Sequence, residues 1–268
     1  MVLYNNSGMN KQTMKALIQK IAQADTDFSL IQADDVIAVG LSGGKDSTLL
    51  LTALEAYRKQ SRKPFKLTGI HIDLGFGGLP FEPVKNYFNQ EDIECHVFPS
   101  HIAEILNLNK KKDVIQCSLC SKLKKGAVIK AAKSLGCNKV AFAHHADDAI
   151  ETLFLNMIYG GKLATFEPSM YMTKTEVTFI RPFVYVKEKD IISNVKTLNL
   201  PIKPSACPVD GSTKRQAIKE MLNALYTSFP PAHDNFITML HNQDQLDLWK
   251  KSVDKEILLH YTQDKQKQ

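Results

Sequence analysis

A short glycine-rich segment near the start of the chain carries the residue types that bind phosphate. Residues 36–47 read V-I-A-V-G-L-S-G-G-K-D-S, an apolar run followed by two adjacent glycines, a lysine, an aspartate and two serines. Adjacent glycines adopt positive φ and let successive backbone N–H groups point at one anionic oxygen. A helix predicted over residues 47–57 would add its positive N-terminal end at the same place. The segment therefore predicts a phosphate cradle.

The cradle is not a Walker A loop, which would need glycine where Val39 stands and a hydroxyl residue where Asp46 stands. The six residues S-G-G-K-D-S, 42–47, instead resemble the PP-loop of the ATP pyrophosphatases, which activate carbonyl oxygens by adenylation and release pyrophosphate. The alternative is a plain Gly-Gly turn between a strand and a helix. The match at six consecutive positions, in a strand–turn–helix context, favours the PP-loop.

Length, composition and charge fit a globular protein with an anionic partner. The chain has 268 residues, of which 44% are hydrophobic, enough for a sizeable core. We expect a cytoplasmic protein with no membrane partner, because no apolar stretch approaches the roughly 20 residues of a membrane span and no signal-peptide core is present. The net charge of +6 is modest, but residues 110–133 hold eight lysines and a single acid. A solvated helix face is one interpretation of this block, and a nucleic-acid contact is the one that we favour.

Short apolar runs alternate with longer amphipathic stretches through the middle of the sequence. Strands are predicted over residues 36–40, 66–72, 93–98 and 139–143, and helices over 9–27, 47–57, 81–89, 121–135, 147–158, 187–198, 212–228 and 233–248. This pattern predicts an α/β fold with a parallel sheet covered by helices on both faces. We expect an N-terminal helical segment (1–30), an ATP-binding α/β domain (31–190) and a C-terminal helical region (191–268).

The five cysteines point to metal chemistry rather than to disulfides, because their number is odd and no secretory signal is present. Cys117 and Cys120 form a C-x-x-C pair, and Cys207 lies in a proline-rich turn. Cys95 and Cys137 lie in apolar contexts and are expected to be buried. Three thiolates could hold a [4Fe-4S] cluster with one open iron. From the thiolate count alone, zinc with a histidine partner is an equal alternative.

Four strings together make the resemblance specific. Residues 117–126 (C-S-L-C-S-K-L-K-K-G), 144–162 (H-H-A-D-D-A-I-E-T-L-F-L-N-M-I-Y-G-G-K) and 181–191 (R-P-F-V-Y-V-K-E-K-D-I), with the S-G-G-K-D-S loop, resemble the tRNA 2-thiocytidine synthetases. The resemblance runs from about residue 14 to about residue 240. It implies a PP-loop ATPase that carries an oxygen-sensitive [4Fe-4S] cluster on Cys117, Cys120 and Cys207. The implied reaction replaces the 2-oxygen of an anticodon-loop cytidine, position 32, with sulfur.

The chain departs from the family pattern in two places. The family often has a second cysteine just upstream of its third cluster ligand, and this chain has none there. Residues 73–83 follow the pattern only loosely, and because they trail the second strand they should border the nucleotide or the target base. The related lysidine synthetases lack the three-cysteine set, which argues against them.

The resemblance and the residue chemistry together assign roles. ATP is expected to bind Leu41, Ser42, Gly43, Gly44, Lys45, Asp46 and Ser47. Asp46, Lys45 and His145 are the catalytic candidates, and His144 is the alternative to His145 for phosphate contact or proton transfer. Asp46, Asp147 and Asp148 are the candidates to hold Mg²⁺, because hard oxygen ligands suit that ion. One of Asp147 and Asp148 is also expected to cap the following helix. The candidate contacts to tRNA are Lys122, Lys124, Lys125, Arg181 and Arg215.

In the implied mechanism the cytidine 2-oxygen attacks the α-phosphorus of ATP, pyrophosphate leaves, and sulfide carried by the cluster then attacks C2. The expected partners are tRNA, a sulfur donor such as a cysteine desulfurase, and a second copy of the chain in a homodimer. Two alternatives stay open. One is a related sulfurtransferase acting on another tRNA base or a small molecule. The other is a zinc-stabilised RNA-binding module with a vestigial nucleotide loop.

Overall fold

The computed structural model of the protein describes residues 8–77, 79–110, 116–204 and 214–242. Within these ranges the helices are α1 (Gly8–Phe28), α2 (Lys45–Gln60), α3 (Glu82–Gln90), α4 (Ile102–Leu108), α5 (Cys117–Ser134), α6 (Ala146–Gly160), α7 (Glu188–Thr197), α8 (Lys214–Ser228) and α9 (Ala232–His241). The strands are β1 (Val36–Gly40), β2 (Lys66–Asp73), β3 (Cys95–Pro99), β4 (Lys139–Ala141), β5 (Ser169–Met172) and β6 (Val177–Ile180).

The six strands form one sheet in the order β3-β2-β1-β4-β6-β5. Every neighbouring pair is parallel except β5 and β6, which pair antiparallel. The register places Ile37 beside Leu67 on one side and beside Lys139 on the other. The predicted α/β class is therefore confirmed, with one antiparallel edge strand that the sequence pattern did not predict.

The elements that the sequence pattern missed are short or lack a standard turn signal. Helix α4 has seven residues, too few for a helical period to stand out. Strands β5 and β6 form a hairpin whose turn contains no glycine, and Glu176 takes the left-handed conformation there with φ 55°. Glycine or Asn-Gly is the usual sequence signal for such a turn. Of the predicted helices, residues 212–213 and 243–248 lie outside the described ranges.

Two apolar layers sandwich the sheet. On one face, α1, α2, α3 and α7 enclose a core that includes Ile21, Leu50, Leu54, Phe88 and Ile191. On the other face, a second core joins α4 and α5 to the sheet through apolar side chains that include Ile102, Leu106, Val128, Ala132 and Phe179. Helix α2 is buried along most of its length because T-L-L-L-T-A-L presents apolar groups all round. Its buried Glu55 is paired with Arg58 and Lys59.

The order of the strands fixes where a ligand can bind. Strands β1 and β4 are neighbours, but the chain leaves β1 towards β2 and returns on the opposite side of β1 as β4. In open parallel sheets, ligands bind in the crevice at such a switch point, outside the carboxyl ends of the strands. The glycine-rich loop follows β1 and the H-H-A-D-D segment follows β4. The fold therefore brings these two segments together.

The N-terminal helix belongs to the same packed unit as the sheet, since Leu17, Ile18 and Ile21 join the core formed by α2. Helices α6, α8 and α9 share a smaller cluster around Ile150, Ile218 and Leu222. None of the helices within the described ranges is both long and apolar enough to span a membrane. The division into segments 1–30, 31–190 and 191–268 stays a prediction.

Candidate active site

The loop between β1 and α2 is held in a fixed shape by its own polar groups. Gly43 has φ +85°, a left-handed conformation that side chains rarely adopt. The Ser42 N–H donates to Ser47 Oγ at 3.1 Å, and the Gly44 N–H donates to Ser42 Oγ at 3.2 Å. Both hydroxyls hold the loop in this shape, and the binding of Ser42 and Ser47 to ATP stays a prediction.

The loop is anchored at its start to strand β2. The Leu41 N–H donates to the Ile70 carbonyl at 2.7 Å, and the Leu41 carbonyl accepts the Nδ1–H of His71 at 2.8 Å. Burial lowers the pKa of His71, although the Leu41 carbonyl opposes this effect. The His71 ring stacks on Phe81, with the two ring planes 2° from parallel. A neutral His71 therefore anchors the start of the loop to strand β2.

A distant part of the chain packs against one side of the loop. The Lys203 N–H donates to the Gly43 carbonyl at 2.7 Å. A Cβ atom added to Gly43 would lie 3.0 Å from Lys203 Cβ and 3.6 Å from Phe81 Cδ2. Phe81 belongs to the 73–83 segment, which the sequence placed beside the nucleotide or target base. Phe81 would make ordinary van der Waals contact with a side chain at position 43, whereas Lys203 would have to shift to make room for it.

Lys45 lies between two carboxylates at the start of α2. Its Nζ is 3.0 Å from Asp46 Oδ1 and 3.1 Å from Glu188 Oε1. Burial would lower the pKa of Lys45, but Asp46 and Glu188 outweigh it and raise the pKa. Glu188 Oε2 also accepts from Lys219 Nζ at 2.6 Å. Neither Glu188 nor Lys219 was among the predicted site residues, although Glu188 lies in the 181–191 string that carried the family resemblance.

The H-H-A-D-D segment caps helix α6 and faces the loop. Asp148 Oδ2 accepts the His145 backbone N–H at 3.0 Å, which confirms the predicted capping role for one of the two aspartates. The His145 ring nitrogens lie 3.5 Å from Asp147 Oδ2 and 3.4 Å from Asp148 Oδ2, and Nε2 is 3.9 Å from Asp46 Oδ1. Burial would lower the pKa of His145, but these carboxylates raise it above its usual value. His145 therefore lies between the glycine-rich loop, through Asp46, and the start of helix α6, through Asp147 and Asp148.

Asp147 is satisfied by three protein groups. Its Oδ2 accepts the Glu188 N–H at 2.7 Å, and its Oδ1 contacts His233 Nε2 at 2.9 Å. Burial would raise the pKa of Asp147, but the hydrogen bonds from His145, His233 and Glu188 hold it far below its usual range. Within the described residues, no group of three or more His, Cys, Asp or Glu side chains is arranged to hold a metal ion. A magnesium ion here would need phosphate oxygens or water among its ligands, as is usual for Mg²⁺.

Arg215 of α8 binds the side of α6. Its Nη1 is 3.1 Å from Asp148 Oδ1 and 3.1 Å from Glu151 Oε2, and its Nη2 donates to Thr152 Oγ1 at 3.0 Å. Burial and the neighbouring Asp148 raise the pKa of Glu151, and Arg215 opposes that rise. The predicted contact between Arg215 and tRNA stays a prediction, and the side chain would have to leave these carboxylates to make it.

Comparisons with known proteins identify the family. A family model described as the PP-loop domain matches residues 10–224. The chain belongs to the PP-loop family. It is similar to the tRNA-cytidine(32) 2-sulfurtransferase of Pelobacter propionicus, with 37% identity over 230 residues that cover 85% of this chain and 86% of that protein. It is also similar to the tRNA-cytidine(32) 2-sulfurtransferase of Neisseria meningitidis, with 35% identity over 87% of this chain and 73% of that protein.

Solved structures share the fold of this PP-loop protein. The U34-tRNA thiolase NcsA from Methanococcus maripaludis, solved with its [4Fe-4S] cluster, superposes with a TM-score of 0.72 and 20% identity, covering 91% of this chain and 84% of that one. The NMN synthetase from Francisella tularensis superposes with a TM-score of 0.50 and 15% identity, covering 90% of this chain and 98% of that one. At these identities the likeness shows the PP-loop fold alone.

The C-x-x-C pair begins helix α5 of this PP-loop protein. Cys117 is exposed and Cys120 is buried, and the Cys120 N–H donates to the Gln116 carbonyl at 3.0 Å. Residues three apart on a helix share a face, and the binding of both sulfurs to one metal centre stays a prediction. Cys207 lies outside the described residues. Cys95 and Cys137 are buried, as predicted; burial raises the pKa of Cys95 to about 12 and also raises that of Cys137.

The lysines of α5 differ in their surroundings. Lys122 is exposed and Lys124 is half-buried. Lys125 Nζ lies 4.6 Å from the ring centre of Phe179, and burial together with Arg181 lowers its pKa. Residues 111–113 of the lysine block lie outside the described ranges. Lys125 thus links α5 to Phe179 near the carboxyl end of β6.

Arg181 and His144 are enclosed by aromatic rings at the ends of β4 and β6. Arg181 is 7% exposed; its guanidinium lies 4.8 Å from the ring centre of Phe166 and donates to the Glu167 carbonyl. It would have to leave this pocket to reach a phosphate of tRNA. Burial, helped by Arg181, Arg215 and His145, lowers the pKa of His144 to about 4. Its Nδ1 has no hydrogen-bond partner among the described residues.

Proposed function

We propose that this protein is an ATP-dependent tRNA-cytidine 2-sulfurtransferase that acts on cytidine 32 of the anticodon loop. The observation that carries the proposal is the phosphate cradle at the switch point of the sheet. Lys45 and Asp46 belong to this cradle, and His145 lies beside Asp46. The relatives that are 37% and 35% identical over most of the chain supply the substrate class.

The cradle fits the phosphates of ATP. Gly43 has the positive φ that allows backbone N–H groups to converge on an anion, and α2 begins there with its positive end. Lys45 adds a full charge at the same place. Phe81 and Lys203 limit the space beside Gly43, so the loop backbone, rather than a side chain, would face the phosphates.

The first chemical step is adenylation. The 2-oxygen of the cytidine attacks the α-phosphorus, the bond from the α-phosphorus to the α–β bridging oxygen breaks, and pyrophosphate leaves. Negative charge grows on the phosphates in this step, so Lys45 and the loop amides act mainly by electrostatic stabilisation. Asp46, which follows Lys45 in the loop and is 33% exposed, is proposed to hold Mg²⁺ together with the phosphates, with Asp147 and Asp148 as further candidates.

The second step replaces the adenylated oxygen with sulfur, and AMP leaves. Cys117 and Cys120 would hold two irons of a [4Fe-4S] cluster, with Cys207 proposed as the third ligand. When bound, the cluster supplies an open iron that carries sulfide. His145, whose pKa the surrounding carboxylates raise, is proposed to hold a proton near the leaving phosphate.

Transfer RNA would approach over helix α5. Lys122, Lys124 and Lys125 are on this helix beside the cysteine pair, and phosphate contacts by lysine dominate affinity for nucleic acids. An unpaired anticodon-loop base can be splayed into the site, because it has no pairing partner to lose. A cysteine desulfurase as sulfur donor, a homodimer and a cytoplasmic location complete the proposal.

The test uses anaerobically purified protein, ATP, Mg²⁺, sulfide and unmodified tRNA. We expect pyrophosphate release that depends on tRNA, and mass spectrometry of the digested tRNA should find 2-thiocytidine. Asp46→Asn should abolish both products, whereas Asp190→Asn, a carboxylate paired with Lys20 at 2.7 Å, should leave both unchanged. Thiolation at another base would identify a different sulfurtransferase. Absence of pyrophosphate release would contradict the enzymatic proposal and favour an RNA-binding module.

A further inference from the structure

Glu188 is shared between two lysines from different helices. Its Oε1 lies 3.1 Å from Lys45 Nζ at the start of α2, and its Oε2 accepts from Lys219 Nζ of α8 at 2.6 Å. The Glu188 side chain is 18% exposed, and its backbone N–H donates to Asp147 Oδ2 at 2.7 Å. The carboxylate is therefore fixed by its own backbone and held by a lysine on each side.

The charges around Glu188 balance in this arrangement. The Glu188 carboxylate contacts two ammonium groups, Lys45 Nζ at 3.1 Å and Lys219 Nζ at 2.6 Å, and forms an ion pair with each. A lysine ammonium has three donors. Among the described residues Asp46 and Glu188 take two of those of Lys45, which leaves one N–H for a phosphate oxygen.

We propose that Glu188 is a positioning residue for Lys45, and that Lys219 tunes how strongly Glu188 holds that lysine when ATP binds. The inference rests on the proposed function in one respect, namely that Lys45 contacts the phosphates of ATP. The inference adds a second contact to the site, from Lys219 of helix α8 to Glu188.

The two neighbours of Lys45 predict opposite effects. Without the negative charge on Glu188, one of the two ion pairs that fix the long Lys45 side chain becomes a weaker, neutral contact. A less firmly held lysine stabilises the transition state less well. The same change removes a negative charge beside the polyphosphate, so ground-state binding of ATP does not weaken. Without Lys219, the negative charge of Glu188 is no longer partly neutralised. Glu188 then attracts Lys45 more strongly and repels the phosphates more strongly, so ATP binding weakens.

The test compares Glu188→Gln with Lys219→Met in the full-length holoenzyme. For Glu188→Gln we expect kcat for pyrophosphate release to fall about tenfold, the effect of a 1.4 kcal/mol change, with KM for ATP equal to or below that of the wild type. For Lys219→Met we expect KM for ATP to rise about three- to tenfold. In the double variant, the Lys219 effect should disappear because Glu188 no longer carries its charge.

Matched controls remove the same charges without touching Lys45. Asp190→Asn neutralises another carboxylate in the first turn of α7, where it pairs with Lys20. Lys214→Met removes a lysine at the start of α8, whose Nζ lies 4.0 Å from the ring centre of Tyr159. If Glu188→Gln and Lys219→Met match these controls in kcat and KM, or if both variants raise KM alike, the proposal is wrong.

A second readout works without ATP and without catalysis. Amine-directed acetylation followed by peptide mass spectrometry measures the reactivity of Lys45 in each variant. We expect Lys45 to label several-fold faster in Glu188→Gln than in the wild type, and more slowly in Lys219→Met. Unchanged labelling of Lys45 in both variants overturns the proposal even where the enzyme thiolates tRNA. Altered labelling in a protein that releases no pyrophosphate supports the contact and refutes only the proposed function.

Discussion

Substituting alanine for Gly43 tests whether the loop depends on a left-handed residue and on the approach of a distant segment. Gly43 has φ +85°, and an added Cβ would lie 3.0 Å from Lys203 Cβ. A left-handed conformation costs an L-residue about 1–2 kcal/mol. Displacement of Lys203 would also break its 2.7 Å hydrogen bond to the Gly43 carbonyl, a loss of about 0.5–1.5 kcal/mol.

Together these effects predict that Gly43→Ala lowers the free energy of unfolding by roughly 1.5–3.5 kcal/mol. Two other glycines separate the contributions. Gly136→Ala, with φ +70° and nothing within 4 Å of the added Cβ, carries the conformational cost alone, about 1–2 kcal/mol. Gly44→Ala, at φ −76° and ψ 167°, needs no left-handed conformation and should lose less than about 1 kcal/mol.

Urea unfolding of the three variants and the wild type, followed by circular dichroism, measures these differences through the transition midpoint and slope. Calorimetric titration with Mg·ATP should show a larger loss of affinity for Gly43→Ala than for Gly136→Ala. If Gly43→Ala is as stable as Gly44→Ala, the positive φ and the Lys203 contact do not constrain the loop, and the reasoning fails.

Three further predictions concern the surroundings of the cradle. Burial depresses the pKa of His71 below its ordinary value of 6.5, so the unfolded chain binds the extra proton and stability falls as the pH drops below about 6.5; His71→Phe, which keeps a ring against Phe81, should make urea midpoints less sensitive to pH in that window, and an unchanged slope would refute this. Arg215→Ala should lower the free energy of unfolding by about 1–2 kcal/mol, because it leaves the buried Glu151 without its cation. That loss should shrink towards pH 5 as Glu151, whose pKa is raised, takes up a proton, and a loss constant from pH 5 to 8 would contradict the assignment. Cys117→Ser should lower iron and acid-labile sulfide in anaerobically purified protein while Cys137→Ser, at a buried thiol, leaves both unchanged; equal metal content in the two variants would exclude Cys117 as a ligand.

Local patterns predicted the parts of the site that are contiguous in sequence. The apolar run 36–40 and the glycines after it are sufficient to predict a strand, a turn and a helix, because each depends on neighbouring residues. The same holds for the aspartates that begin α6. Periodicity did not predict the β5–β6 hairpin, whose turn residue Glu176 gives no sequence signal for a left-handed conformation.

Contacts between distant residues could not be predicted from one sequence. The pairing of Glu188 with Lys219 joins residues 31 positions apart, and Lys203 meets Gly43 across 160 positions. Such pairs depend on how distant segments pack around the phosphate loop, which no local pattern encodes. Residue type alone also did not predict the surroundings of Arg181. This residue is of a type that often binds phosphate, but its side chain is buried against Phe166.

The long separation between β1 and β4 also has a consequence for synthesis on the ribosome. The phosphate loop is complete once residue 47 has been made, but β4, which pairs directly with β1, begins at Lys139. Glu188 and Lys219 emerge later still. Pairing between distant segments is slow because a long loop must close first. A nascent chain that ends before residue 203 therefore carries the loop without the Lys203 N–H that binds the Gly43 carbonyl, and we expect nucleotide binding to appear only after most of the protein has been translated.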